Sequence, residues 1–269
     1  MSAILEARGV SYLSGERRLI DRVDLTVEAG RFTIVIGPNG AGKSTLLRLL
    51  CGEIAPAEGT VTLKGRPIRS IPPGQLAHLR AVMPQASDLN FPFTAFEVAS
   101  LGAEGIGRGL RRQDRVLIAA EALNQADVAH VAHRNYQTLS GGERQRVHFA
   151  RVLAQLKAGR SVERDQVLLL DEPIASLDLK HQLALLHRAR HLAESGLAVV
   201  AVLHDLQLAA ATGDDLVLLH DGRCVAAGPP AAVLTAARLT EVFGVTLIPD
   251  ALPPQPWRLA AETSRPARP

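Results

Sequence analysis

Gly37-Pro38-Asn39-Gly40-Ala41-Gly42-Lys43-Ser44 fits the pattern G-x-x-x-x-G-K-[ST]. The run Phe32–Ile36 before it is apolar and β-branched and reads as a strand; residues 43–51 after it read as an apolar helix. The glycines let backbone N–H groups turn inward around phosphate oxygens, and a helix beginning at Lys43 points its positive end at the same anion. Lys43 then reaches the β- and γ-phosphates, and the Ser44 hydroxyl is a ligand for Mg²⁺. Average residue frequencies put a chance match in a chain of this length at about 1%. The expected fold class is therefore α/β, a P-loop NTPase built on a parallel sheet.

Further along, the apolar residues 167–170 run into Asp171 and Glu172. A buried strand of this kind delivers both carboxylates to the carboxyl edge of the sheet, where ligands bind. Asp171 is placed to hold Mg²⁺ and Glu172 to polarise an attacking water; on its own the pair would read equally well as a solvated strand end. Leu139-Ser140-Gly141-Gly142-Glu143 precedes another apolar helix. Ser140 with Gly141 and Gly142 makes a second anion-binding helix terminus, although Ser-x-x-Glu is also a sound capping box. A chain with one phosphate loop has no evident need of two such sites. A head-to-tail dimer does, with each ATP gripped by the loop of one copy and this helix end of the other.

The rest of the chain organises around these motifs. Residues 3–10, 23–27 and 59–63 read as short strands, whereas strand signals fade over residues 72–135, where 75–80 and 116–126 have helical spacing. Strands return at 167–170, 197–203 and 216–219, the last pairing with 223–227 through Asp221-Gly222. Residues 157–166 read as a polar surface loop, and residues 249–269 hold six prolines and read as a loose tail. Of the 269 residues 47% are hydrophobic, and 30 basic against 27 acidic side chains leave a net charge of +3. This balance excludes an acidic or disordered chain. Basic residues are scattered and only nine side chains are aromatic, so no nucleic-acid partner is expected. Cys51 and Cys224 form no CxxC pair and fit a reduced compartment. No apolar run reaches the ~18 residues of a membrane span, and the expected location is cytosolic.

The loop from Gly37 to Thr45, the Leu-Ser-Gly-Gly-Glu segment with Gln145, and Leu168-Leu169-Leu170-Asp171-Glu172-Pro173 stand in the order and spacing of the ATP-binding cassette family, which the chain resembles over residues 3–245. The resemblance implies a RecA-like core with an antiparallel β subdomain and a helical subdomain at about 86–138. It implies ATP and Mg²⁺ as ligands: Gly37, Pro38, Asn39, Gly40, Ala41, Gly42, Lys43, Ser44 and Thr45 of one copy, and Ser140, Gly141, Gly142 and Asp178 of the other, hold the nucleotide. Gln85, after Met83-Pro84, falls at the Q-loop, near Mg²⁺ and its water. Ser176-Leu177-Asp178 looks like the D-loop, and His204, after the strand at 197–203, like the switch histidine. Without the family His204 would read as a structural histidine. The adenine-stacking aromatic of the family falls at Ser14, with Tyr12 two residues earlier, so strong discrimination among bases is not implied. Ile174 replaces the threonine common after Asp-Glu-Pro.

Within the family the chain looks most similar to bacterial haem-import ATPases, on residues 81–85, 87–89, 91–94, 177–179, 181–182 and 202–206. This implies a homodimer on the cytoplasmic face of the inner membrane, bound to two transmembrane permease subunits and served by a periplasmic haem-binding protein. A ferric siderophore or cobalamin is the alternative cargo, and a soluble non-transport cassette ATPase the alternative class. Phe91, Phe93 and Phe96 read either as a permease-facing apolar surface or as the small core of the helical subdomain. His187 and His191, four residues apart, read as part of a solvated helix face.

Overall fold

The computed structural model describes residues 3–85, 91–106 and 109–244; the tail expected at 249–269, and Ser87-Asp88-Leu89, lie outside them. Two long strands, β1 (Ala3–Ser14) and β2 (Arg17–Glu28), pair antiparallel. Along β2 the side chains of Val23, Leu25 and Val27 are buried while Arg22, Asp24 and Thr26 are exposed, the period-two pattern of a sheet with one covered face. The chain leaves this sheet as β3 (Phe32–Ile36), turns through the phosphate loop into α1 (Lys43–Leu50), and returns as β4 (Glu58–Leu63) and β5 (Arg66–Pro67). The first sheet has the order β2-β1-β4-β5.

The second sheet is the core. After α2 (Pro73–Leu79) come β6 (Arg80–Met83), α3 (Ala95–Glu104), α4 (Arg112–Gln125), α5 (Gly141–Gly159) and β7 (Val167–Asp171). The chain continues through α6 (Leu179–Glu194), β8 (Ala198–Val202), α7 (Leu206–Thr212), β9 (Asp215–His220), β10 (Arg223–Gly228), α8 (Pro230–Val233) and α9 (Ala236–Phe243). The strand order is β10-β9-β3-β8-β7-β6. β6, β7, β8, β3 and β9 run parallel and β10 is antiparallel to β9. Every residue of β3, β7 and β8 is buried, as required of parallel strands covered on both faces. Their side chains alternate between two cores. Phe32, Ile34, Leu168, Leu170, Val199 and Ala201 join the helices α3 to α6. Val35, Leu169, Val200 and Val202 join α1 and the antiparallel sheet.

Two expectations need correction. The stretch 72–135 is not free of strand: the helix ends at Leu79, and Arg80 opens β6, paired with β7 from Arg80↔Val167 to Met83↔Leu170. Only four residues long, β6 has too little periodicity to stand out, and its parallel partner lies far away in sequence. The polar segment 157–166 is not all loop, since α5 runs to Gly159 and the Gln166 side chain is buried, donating to the His78 carbonyl at 3.0 Å. Of the three phenylalanines, Phe91 is 67% exposed, while Phe93 and Phe96 are partly buried against the core shared by the helices and the parallel sheet. His187 and His191 are exposed on α6, the solvated face expected. Among the described residues no helix is long and apolar enough to cross a membrane.

Candidate nucleotide site

Parallel strands that share an edge deliver the loops that follow them to one place. Here β3 brings the phosphate loop, β6 brings Gln85, β7 brings Asp171 and Glu172, and β8 brings His204. Gly42 is the N-cap of α1 with φ of 99°, so no side chain competes for the amides of the first turn. A Cβ at Gly42 would also lie 2.6 Å from the Leu19 carbonyl oxygen. Glycine is thus demanded twice, by backbone conformation and by the close approach of β2.

The charged groups are held tightly. Lys43 Nζ donates to the carbonyls of Gly37 at 2.9 Å and Pro38 at 2.8 Å. Burial pushes its pKa down, against the opposing pull of Glu172 and Asp171. The Ser44 hydroxyl donates to Asp171 Oδ1 at 3.1 Å. Burial pushes the Asp171 carboxyl up, opposed chiefly by this hydrogen bond. Ser44 and Asp171 are therefore adjacent oxygen donors at the phosphate loop, the hard-ligand chemistry that suits Mg²⁺ shared with phosphates. Lys43 can offer its ammonium to phosphate oxygens, while Asp171 and Glu172 offer carboxylates to a bound cation or a water.

Glu172 is the focus of a second cluster. Gln85 Nε2 donates to its Oε2 at 2.8 Å, and His204 Nε2 lies 2.6 Å from its Oε1. The Glu172 backbone sits at φ 47°, a left-handed conformation that costs a non-glycine residue on the order of 1–3 kcal/mol and gathers at functional sites. Gln145 Nε2, from α5, donates to the Glu172 carbonyl at 3.0 Å. An open groove of about 270 Å³ runs between Arg17, the loop from Asn39 to Thr45, Glu172 and His204.

Ser140 caps α5 in a full capping box: its hydroxyl accepts from Glu143 N at 3.3 Å and the Glu143 carboxylate accepts from Ser140 N at 2.8 Å. Asp178 caps α6 by accepting from His181 N at 3.0 Å. Gly142 packs so closely against the 172–178 segment that a Cβ there would lie 3.1 Å from the Ser176 carbonyl oxygen. Ser140, Gly141, Gly142 and Asp178 do not line the phosphate groove of their own chain. Gln85, Glu172 and His204 are brought together, and so are Ser44 and Asp171; Ser140, Gly141 and Gly142 belong to neither cluster, although Gln145 one turn on reaches the Glu172 carbonyl.

Residues 20–175 match the ABC transporter family. The chain belongs to this family. It is 46% identical to the hemin import ATP-binding protein HmuV of Bradyrhizobium diazoefficiens over 98% of this chain and 100% of that protein. It is 45% identical to HmuV of Pseudomonas putida, over 93% and 96%. Among solved structures it resembles the ATP-binding cassette MJ0796, described as dimeric, in a post-hydrolysis state and bound to ADP and Pi, with TM-score 0.74, 27% identity and coverage of 84% and 99%. It also resembles the cassette MJ1267 with TM-score 0.77 at 22% identity, covering 91% and 98%, a likeness of fold.

As a member of the ABC transporter family the chain departs from the expected pattern at the end of the groove nearest β2. Ser14 is exposed, and Tyr12 packs against the antiparallel-sheet core. Arg17 lines the groove instead, while its neighbour Arg18 is paired with Asp21 and Glu58. Sequence reasoning missed Arg17 because a lone arginine in a strand carries no spacing signal. Gln145 is recognisable in sequence as part of a motif, but its partner is not, since the Glu172 carbonyl is a backbone atom that no sequence pattern marks. Ile174 is 7% exposed and belongs to the helical core; nothing in the structure gives its replacement of threonine a chemical consequence.

Proposed function

We propose that this chain is the ATP-hydrolysing subunit of an importer for haem, working as a head-to-tail pair on the cytoplasmic face of the inner membrane. The observation that carries the hydrolytic reading is Glu172, held between Gln85 and His204 beside the Ser44–Asp171 pair. In this reading the amides from Gly37 to Thr45 cradle the phosphates and Lys43 exchanges its loop carbonyls for phosphate oxygens. Ser44, Asp171 and the Gln85 side-chain oxygen hold Mg²⁺, which supplies charge neutralisation at the β- and γ-phosphates. Glu172 takes a proton from the attacking water, oriented with Gln85, and His204 contacts the γ-phosphate. Ser140, Gly141, Gly142 and Asp178 of the second copy close the site. Because those four stand away from the groove of their own chain, the single copy is incomplete for turnover.

The cassette is assigned to residues 3–245, with its helical subdomain at about 86–138 facing two permease subunits. A periplasmic haem-binding protein completes the importer. The haem cargo rests on the HmuV relatives, which are hemin import ATP-binding proteins. The test is ATPase activity in liposomes holding the chain with its permease and binding protein. Haem should raise turnover several-fold; stimulation by a ferric siderophore or cobalamin in its place would transfer the cargo assignment to that ligand.

The groove makes its own prediction about the base. Arg17 offers a guanidinium, which stacks on any aromatic base for about 0.5–2 kcal/mol without reading its edge. ATP and GTP should therefore bind within about fivefold of each other. Competition of both nucleotides against a fluorescent analogue measures this, and a preference above about fiftyfold would exclude the arginine platform.

A further inference from the structure

Glu172 is fixed at its side chain by Gln85 and His204, but its unusual backbone conformation, φ 47°, needs an anchor of its own. The carbonyl oxygen of Glu172 receives two donors: Ala175 N at 3.4 Å, within the same turn, and Gln145 Nε2 at 3.0 Å, from another element. Gln145 lies four residues after Gly141 on α5, so the two share a helix face. That face meets the segment after β7, where a Cβ on Gly141 would lie 3.7 Å from Ser176 Cβ. The far end of the segment is tied by Gln182 Nε2, which donates to Leu177 O at 2.9 Å.

We infer that Gln145 is a positioning residue for Glu172, and that it couples the two nucleotide sites of the pair through α5. The inference rests on the shared-site reading above. The peptide that carries the Glu172 carbonyl is held in one orientation by Gln145, and the direction of the carboxylate follows from it. The same helix begins at Ser140-Gly141-Gly142, the end assigned to the partner's nucleotide. A shift of α5 on gripping that nucleotide therefore reaches Glu172 of its own site through one side chain. Each copy thus readies its own carboxylate when it engages the nucleotide of the other.

Two variants test this in the full chain. Gln145→Met keeps the length and removes the donor; Gln145→Asn keeps the amide and draws it back by one methylene. Both should lower kcat about 10–100-fold, the range expected when a reacting group is misplaced by about 1 Å, with KM and ATP affinity changed less than twofold. The Hill coefficient for ATP should fall toward one. In a Glu172→Gln background, Gln145→Met should cost no further turnover, because the group it positions is gone. An additional tenfold loss in the double variant, or a KM that rises as kcat falls, would overturn the positioning role. An unchanged Hill coefficient would overturn the coupling. Failure of the reading beneath it would be seen separately: full turnover by Glu172→Gln alone would remove Glu172 from its role, and full turnover by a monomeric form of the unaltered chain would remove the shared site.

Discussion

Replacing Glu172 with Gln should reduce ATP turnover by about 10²–10⁴-fold, the span associated with losing a general base, while an ATP-bound pair accumulates. The substitution is nearly isosteric, and the amide oxygen still accepts from Gln85, whose Nε2 lies 2.8 Å from Oε2. What disappears is the capacity to take a proton. With binding intact and chemistry blocked, the closed arrangement has no route to reopen by hydrolysis. Phosphate release measures the first effect. Light scattering with and without MgATP measures the second, where the unaltered chain should pair only transiently. Turnover above a tenth of the unaltered rate would remove Glu172 from its assigned role, and a monomer at saturating MgATP would remove the shared site.

Lys43→Met should weaken ATP binding about 100-fold while leaving the fold nearly as stable as before. Charge-assisted hydrogen bonds contribute about 1.5–3 kcal/mol each, so ATP affinity should fall about 100-fold. In the free chain Lys43 donates to Gly37 O and Pro38 O, and those two bonds would be lost. Against this, the ammonium is desolvated where it sits, which is the chief reason its pKa is pushed down. Methionine fills the same volume without that penalty. The two effects oppose each other, and the melting temperature without nucleotide should stay within about 3 °C. The rise in melting temperature that MgATP gives the unaltered chain, by binding the folded state alone, should shrink. A drop of about 10 °C without nucleotide would show Lys43 to be a structural pin of the loop rather than a phosphate ligand.

The parts of the site legible from sequence were those whose chemistry is local. Gly42, Lys43 and Ser44 are consecutive, and the strand before them and the helix after them are read from adjacent residues. Asp171 and Glu172 were legible for the same reason, as the polar end of an apolar strand. Gln85 and His204 became candidates only through resemblance to the family, because a glutamine after a short strand and a histidine after a buried one have no spacing that marks them. Their convergence on Glu172, at 2.8 and 2.6 Å, follows from β6, β7 and β8 lying side by side. The same adjacency explains why β6 was overlooked: four residues reveal their pairing only when the partner strand is in place.

Sequence alone determined that this chain folds around a phosphate loop, belongs beside a parallel sheet and carries two carboxylates at that sheet's edge, because each of these is a pattern of neighbours along the backbone. Tertiary structure decided which residues meet across it. Arg17 on the groove wall, Gln145 on the Glu172 carbonyl, and Ser140 to Gly142 standing away from their own phosphate loop all depend on contacts between segments separated by tens to hundreds of residues. Such contacts are set by strand order and helix packing, for which chain-local spacing holds no record.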